Sequence, residues 1–380
     1  MLKWMQSGLS AVAGTAEPIY GPEAIHSVVD GLNGANPFSE VKKEDLEWRN
    51  LPFTNVETQT FYLTTTSGHI CFVQVILSNV AGLHTTSQFT CRIYHPDKPE
   101  ESVWTSTHLN DFAVGADKTN FKADKLSIVL SEDLNTYTIK SSVNDKSIVD
   151  IAIVREAPGF KVGKDGMTRY GTDYEKPWGS MRHIFWPRAT VKGNITVNGH
   201  LLEVSGRAMY VMALQGMKPH HAAARWNFVN FQGPTLSGVM MEFTTPPSYG
   251  SKIINVGAIA RNNELFAATV ENVAEHTKTK SDEANGWPEP LEVKFEWKGT
   301  SPDEAATPVD ALLEAPIPNL VERVDVMSEI PAFVKKVVAG VAGTKPYIYQ
   351  YSNPASIKVK FGDKEYAESG HLYSEATFIS

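Results

Sequence analysis

The chain has 380 residues and lacks several features that would assign it to a familiar class of protein. It contains only two cysteines, Cys71 and Cys91, which is typical of a reducing compartment. They lie on different predicted strands, so a disulfide between them stays an open alternative. No apolar run approaches the roughly 18 residues that a membrane-spanning helix requires. The net charge is −8, so the chain has no excess of basic residues that would attract nucleic acid. We therefore expect the protein not to bind nucleic acid.

Sequence motifs of common enzymes are also missing. The chain has no G-x-G-x-x-G after a strand, no P-loop, no H-E-x-x-H and no G-x-S-x-G. On a strand, the adjacent His220 and His221 would point to opposite sides. A zinc site that joined them with His183 or His200 would need an arrangement that the sequence does not indicate. We therefore predict no catalytic residue, no metal site and no cofactor.

Short strands separated by turn residues dominate the chain from residue 54 onward. The pairs Ser67-Gly68 and Asn198-Gly199 each lie between two such strands, a pattern typical of β-hairpins. Near-regular strand spacing without long intervening helices predicts antiparallel barrels or sandwiches. The predicted fold class is therefore all-β, with two such units in tandem, an N-terminal amphipathic helix and one short helix in the C-terminal half.

A chain of this length suits two domains better than one. Residues 157–176 are rich in glycine, proline and charge, and they are our candidate boundary. We predict a helix over residues 1–18 and a linker with one short helix over 19–53. An N-terminal domain then covers 54–176 and a C-terminal domain covers 177–380.

Residues 1–18 have the pattern of an amphipathic helix. One face of this helix is apolar. The opposite, polar face carries a single charge, on Lys3, which suits a helix that lies reversibly in a membrane interface. Acetylation of Met1 would remove a further charge from the apolar end. The predicted membrane-binding residues are Met1, Leu2, Trp4, Met5, Leu9 and Val12.

A signal peptide, a transit peptide and a helix packed on its own protein are the other interpretations of this segment. A signal peptide is disfavoured because Gln6, Ser7 and Gly8 interrupt its apolar run, and a transit peptide would carry several arginines. Packing of the helix against its own protein stays open. A second helical pattern covers 331–343, with Phe333 and Val337 on its apolar face; it would pack across a barrel or contact lipid.

Residues 206–232 carry most of the remaining candidates. Ala208–Leu214 and Trp226–Phe231 have the pattern of buried strands that flank a polar turn. Methionines cluster here, and flexible thioethers suit either a cavity for alkyl chains or ordinary core packing. The predicted ligand wall consists of Trp186, Met209, Met212, Trp226 and Phe228. At its mouth we place His220, His221 and Arg225, which would contact a polar headgroup or satisfy buried backbone groups and carboxylates.

Several long motifs resemble the fungal survival-factor family. They are M-L-K-W-M-Q-S-G-L-S-A-V-A-G at the start, G-L-H-T-T-S-Q-F-T at 82–90, W-G-S-M-R-H-I-F-W-P-R at 178–188, Q-G-M-K-P-H-H-A-A-A-R-W-N-F at 215–228 and G-T-K-P-Y-I-Y-Q-Y at 343–351. The resemblance extends over nearly the whole chain. It implies tandem lipocalin-like barrels that bind ceramide, contact membranes reversibly and serve survival under oxidative stress.

The resemblance also implies a place in the cell and a task. The protein would carry ceramide between the endoplasmic reticulum and the Golgi, in the cytoplasm and peripherally on both membranes, with the nucleus as a further compartment. Its protein partners are unknown. Two rival functions stay open: an enzyme acting on an isoprenoid or another hydrophobic substrate, and a stress-response scaffold without a ligand. A buried acid or histidine without a structural partner would favour the enzyme.

Overall fold

The computed structural model describes residues 21–80, 82–217, 219–326 and 346–379. The predicted membrane helix over 1–18 lies outside the described residues, and so does the helical pattern over 331–343. The described part is nearly all β-structure, as the fold class predicts. Its longest α-helix has only four residues, Pro219–Ala222, here called α1.

The strands follow one another along the chain with short connections. Those before α1 are β1 (Ile25–His26), β2 (Phe38–Glu40), β3 (Asn55–Thr65), β4 (Ile70–Val80), β5 (His84–Tyr94), β6 (Val103–His108), β7 (Ala113–Val114), β8 (Phe121–Ala123), β9 (Leu126–Leu130), β10 (Thr136–Ser141), β11 (Ser147–Arg155), β12 (Phe160–Val162), β13 (Met167–Tyr170), β14 (Gly179–Val197) and β15 (His200–Gln215). Those after it are β16 (Arg225–Gln232), β17 (Leu236–Thr244), β18 (Ile253–Arg261), β19 (Glu264–Thr269), β20 (Val273–Ser281), β21 (Pro288–Thr300), β22 (Pro308–Pro316), β23 (Leu320–Asp325), β24 (Tyr347–Phe361) and β25 (Lys364–Phe378). Short 3₁₀ helices cover Pro22–Ala24, Asp30–Leu32, Lys43–Asp45, Pro99–Glu101 and Pro247–Tyr249.

The chain forms two compact units. The first contains residues 39–217, and the second contains 21–38 and most of the chain after 218. The main sheet of the first unit has the strand order β6-β5-β4-β3-β15-β14-β11-β10-β9-β8-β7. The second sheet has the order β19-β18-β17-β16-β25-β24-β22-β21-β20, and neighbouring strands are antiparallel.

Both sheets curl back on themselves. In the first unit, Thr105 Oγ1 on β6 lies 2.6 Å from Ser147 Oγ on β11, although these strands are far apart in the sheet order. In the second, Trp297 Nε1 on β21 donates to the backbone oxygen of Val239 on β17 at 2.9 Å. Each sheet therefore encloses its own core, and successive residues of a strand alternate between core and outer face.

The division between the units lies near residue 218 and not at 176. Strands β14 and β15 belong to the first sheet because β14 pairs with β11 and β15 pairs with β3. The polar stretch 157–176 is not a linker, since it contains β12 and β13, which pair with β14.

The prediction of a linker over 19–53 is also wrong for the described part of this segment, which is packed against the fold. Val41, Leu46 and Trp48 are buried in the core of the first unit. The backbone N–H of Trp48 donates to the oxygen of Lys118 at 2.8 Å, and its ring packs on Phe121. Because apolar side chains leave water there, this segment adds to the stability of the first unit.

Both cysteines are free thiols buried in the first core. Burial raises the pKa of Cys91 to about 12 and raises the pKa of Cys71 well above its usual value. Since the thiolate is the nucleophile, neither should react in the folded protein. We expect iodoacetamide at pH 8 to leave the native protein unmodified and to alkylate both cysteines in guanidinium, as intact mass will show. Rapid alkylation of the native chain would contradict this burial.

Candidate functional site

Four aromatic side chains fill the middle of the first core: Phe61, Tyr137, Trp186 and Tyr210, here called the aromatic group. All are fully buried, and neighbouring ring centroids lie 4.9–5.2 Å apart. The hydroxyl of Tyr137 donates to that of Tyr210 at 3.3 Å. Such contacts add to the stability gained from burial alone.

A β-bulge in β14 positions Trp186. The pairing of β14 with β15 shifts register between Trp186 and Ala189, and Pro187 lies within this irregularity. Proline lacks a backbone donor, so a bulge tolerates it better than a regular ladder does. Because the bulge inserts an extra residue, Ile184 and Trp186 face the core before it, and Ala189 and Val191 face the core after it.

Gln59 is a buried amide in this otherwise apolar and aromatic interior. It lies on β3 between Glu57 and Phe61 in the same inward-facing row, and it pairs in register with Met212 on β15. Its side chain is fully buried, yet neither Oε1 nor Nε2 has a hydrogen-bond partner among the described residues. The indole Nε1 atoms of Trp48 and Trp186, in the same core, also lack one there. Leaving a buried polar group unpaired costs about 1–3 kcal/mol.

On the side of Gln59 away from the aromatic group, ionic groups close the interior. These groups, here called the polar end, are Asp45, Glu57, Lys161 and Arg182. Asp45 bonds Arg182 at 3.0 Å and also pairs with Lys161. The Glu57 carboxylate accepts the backbone N–H groups of Arg49 and Asn50, at 2.7 and 3.0 Å. Burial raises the pKa of Glu57, and these donors oppose the rise. Residues 41–50, the closing segment, are thereby fixed to the sheet.

The polar end gives a stability prediction. Replacing Asp45 by asparagine leaves Lys161 and Arg182 buried without their counter-charge, so Asp45→Asn should reduce the free energy of unfolding by about 3–5 kcal/mol. The matched control is Asp150→Asn, which removes an exposed ion pair with Lys140 and should change it by less than about 1 kcal/mol. Urea denaturation measures both. Equal effects would show that Asp45 does not fasten the closing segment.

The second core also holds a polar group, the His276 network. Glu242 accepts hydrogen bonds from the side-chain amides of Asn227 and Asn255, at 2.9 and 2.8 Å. Asn227 Oδ1 lies 2.9 Å from His276 Nε2. Burial raises the pKa of Glu242, and burial together with the charge of Arg225 lowers the pKa of His276 to about 4. Each member of this network thus has a partner.

The depressed histidine pKa predicts acid sensitivity. A histidine whose pKa falls on folding stabilises the protein above its unfolded pKa, about 6.5, and that stability is lost as the pH falls toward 4. We expect His276→Gln to flatten the decline in unfolding free energy between pH 6.5 and 4 by roughly 2 kcal/mol. The control is His200→Gln, at an exposed position. Parallel pH profiles for His276→Gln and the wild type would contradict this assignment.

A trough of about 570 Å³ lies on the outer face of the second sheet. Its charged lining alternates along the strands with core residues such as Phe295 and Trp297. The lining carries both signs of charge, on Glu296, Lys298, Asp310, Lys358, Lys360 and Glu365. Alkyl chains prefer apolar walls, so this trough does not suit a lipid tail.

The structure distributes the predicted ligand wall over both units. Trp186 and Met212 lie in the first core, whereas the fully buried Met209 lies on the opposite face of β15. Trp226 and Phe228 lie on β16 of the second unit, on the face opposite its core residue Val229. The five residues therefore do not form one wall within either unit.

The predicted mouth residues lie at the start of the second unit. His220 and His221 belong to α1, and Arg225 is exposed at the start of β16. The Arg225 guanidinium lies 5.9 Å from the centre of the Phe378 ring. Sequence reasoning did not single out Gln59, Tyr137 or Tyr210, which lie deeper in the first unit.

Two further features bound the chemistry of the described residues. No group of three or more His, Cys, Asp or Glu side chains among them could hold a metal ion. In the same part of the chain, no helix is both long and apolar enough to cross a membrane.

The fold has counterparts of known structure. A candidate AttH protein from Nitrosomonas europaea superimposes with a TM-score of 0.58, over 90% of this chain and 98% of its own, at 13% identity. Kievitone hydratase from Nectria haematococca gives 0.54, over 91% and 94%, at 15% identity. At such identities the likeness shows the fold alone. By its fold, the chain is thus of the class of two-unit, antiparallel β-proteins.

Comparison with related sequences is more specific than the structural likeness, because it identifies the family. The model of the Svf1 family matches residues 2–380, and the chain therefore belongs to the Svf1 family, which confirms the predicted family. The ceramide-binding protein svf-1 of Neurospora crassa is 52% identical over the full length of both chains. The proteins of the same name from Candida albicans and Schizosaccharomyces pombe are 49% and 44% identical, again over both full lengths.

Proposed function

We propose that this protein binds ceramide and transfers it between the endoplasmic reticulum and the Golgi without vesicles, in support of survival under oxidative stress. The observation that carries the proposal is full-length identity of 44–52% to proteins named for ceramide binding. Two lipocalin-like barrels would shelter the lipid from water. The protein would be cytoplasmic and peripheral on both membranes, with the nucleus as a further compartment.

The interior of the first unit supports a lipid cargo of this chemistry. Its walls are apolar and aromatic, and it contains the unpaired carboxamide of Gln59. Ligand sites commonly combine apolar walls with a few polar groups that fix orientation. The aromatic rings contact one another, so binding must include a side-chain rearrangement. Met212 pairs in register with Gln59, and its unbranched side chain adapts readily.

Membrane contact would come from the N-terminal segment. Its apolar side chains, among them Trp4 and Leu9, would enter the interface, and the small polar face would remain in water. With a single lysine on that face, attraction to anionic lipid is weak and release is easy. Acetylation of Met1 would further favour the apolar end in the bilayer.

A binding role accounts for the buried acids better than catalysis does. A hydratase or cyclase in such a cavity would need an acid or base aimed at its substrate. The buried carboxylates Asp45, Glu57 and Glu242 each have structural partners. The structural similarity to kievitone hydratase, at 15% identity, shows the fold and carries no activity to this chain.

The test is ceramide transfer between donor and acceptor liposomes. The wild type should accelerate transfer, and organic extraction of the purified protein should recover ceramide. Trp4→Glu should retain bound ceramide but lower the transfer rate about tenfold or more, because it places a charge in the membrane-facing stripe. The matched control Ser7→Glu adds the same charge to the polar face and should transfer nearly normally.

Two results would count against the proposal. A wild type that neither yields ceramide on extraction nor accelerates its transfer is not a ceramide carrier. If Trp4→Glu and Ser7→Glu transfer equally well, the N-terminal segment does not dock on the membrane through the predicted face.

A further inference from the structure

We propose that Gln59 is the residue that anchors the polar amide and hydroxyl part of a sphingolipid, which places the cargo site inside the first unit. The inference rests on the proposed function and adds to it a unit, a residue and a basis for selectivity. It concerns a side chain that no sequence motif indicated.

The position of Gln59 is set by the strand. Glu57, Gln59, Phe61 and Leu63 form the inward row of β3, and all four are fully buried. Opposite them, β15 contributes Leu214, Met212, Tyr210 and Ala208 in register, and β4 contributes Leu77, Val75, Val73 and Cys71. Gln59 therefore lies between the polar end and the aromatic group, in a layer whose other side chains on these strands are apolar.

The ionic groups of the polar end, next to Gln59, are already satisfied. Glu57 accepts two backbone N–H groups, and Arg182 bonds both the carboxylate and the backbone oxygen of Asp45. The charged groups of the polar end therefore do not need Gln59 as a hydrogen-bond partner. Its amide has neither a donor nor an acceptor partner among the described residues. Evolution of a purely structural core would favour leucine or methionine there, since an apolar side chain carries no desolvation cost.

Chemical complementarity selects the ligand class. A carboxamide offers N–H donors and a carbonyl acceptor. An amide lipid with hydroxyl groups offers a carbonyl acceptor for Nε2 and N–H or O–H donors for Oε1. The Trp186 Nε1–H, also without a partner among the described residues, is a second donor in the same core. A lipid with only ether-linked chains and a hydroxyl would satisfy fewer of these groups.

The experiment compares Gln59→Leu and the near-isosteric Gln59→Met with the wild type. The control is Gln88→Leu, a partly exposed glutamine on the outer face of β5, next to core residue Phe89. Binding is measured for a long-chain ceramide and for an ether-linked dialkylglycerol with chains of equal length. Urea denaturation of each ligand-free protein is measured in parallel.

If Gln59 is the anchor, both variants should be at least as stable as the wild type without ligand, because they remove an unpaired buried group. Their affinity for ceramide should fall about tenfold, the equivalent of one lost hydrogen bond of roughly 1.4 kcal/mol. Their affinity for the dialkylglycerol should be unchanged, so the ceramide preference is lost. Gln88→Leu should retain that preference.

Three results overturn the inference in distinguishable ways. Wild-type protein that binds no ceramide refutes the proposed function itself. Wild-type protein that binds ceramide, with a folded Gln59→Leu or Gln59→Met variant that keeps the full preference over dialkylglycerol, refutes only the anchor. Strong destabilisation of both variants without ligand shows that Gln59 has a structural role, and this also refutes the anchor.

Discussion

The first unit depends on the pairing of β15 with β3. Residues Gly206–Gln215 align with Thr65–Val56, strands about 150 positions apart in the sequence. Gly206 permits close approach, since a Cβ atom there would lie 2.2 Å from the backbone oxygen of Thr64. A register slip of one residue would turn Gln59 and Phe61 outward. The same ladder therefore sets both the fold and the candidate site.

The two units treat their buried carboxylates alike. Asp45 and Glu57 in the first unit, and Glu242 in the second, are fully paired. Paired networks in a low-dielectric interior rigidify a core and select one arrangement of it. The carboxamide of Gln59 lacks such partners among the described residues, although Glu57 precedes it by two residues on the same face of β3. The proposed sphingolipid anchor would give this buried carboxamide the partners that it lacks among the described residues.

Local sequence patterns predicted the strands well and the long-range pairing badly. Asn198 and Gly199 both have positive φ, 48° and 85°, which is the turn that an Asn-Gly hairpin requires. The boundary at 176 failed because the polar composition of 157–176 conceals β12 and β13, and because no local signal shows β15 returning to β3. The family came from long motifs, which carry more information than periodicity does.

Gln59 escaped sequence reasoning for a related reason. On β3, polar and apolar residues occur on both faces, so alternation alone does not reveal the inward one. The inward face is identified only by the register of the sheet, which aligns Gln59 with Met212 of β15 and Val75 of β4, both of them core residues. Tyr137 and Tyr210 were missed in the same way, because their hydroxyls meet only after β10 and β15 have been brought around the core.

A packed interior and a lipid cargo are reconcilable on energetic grounds. Each methylene group taken from water contributes about 0.8 kcal/mol, so a chain of about ten to fifteen carbons contributes roughly 8–12 kcal/mol. Separating the rings of the aromatic group loses about 0.5–1.5 kcal/mol for each ring contact, in addition to the loss of apolar burial. The lipid chains replace that apolar burial. The unpaired amide of Gln59 also raises the free energy of the empty state. The resting core is thus less stable than its dense packing suggests, and the proposed cargo would supply both the apolar contacts and the hydrogen bonds that the opened core requires.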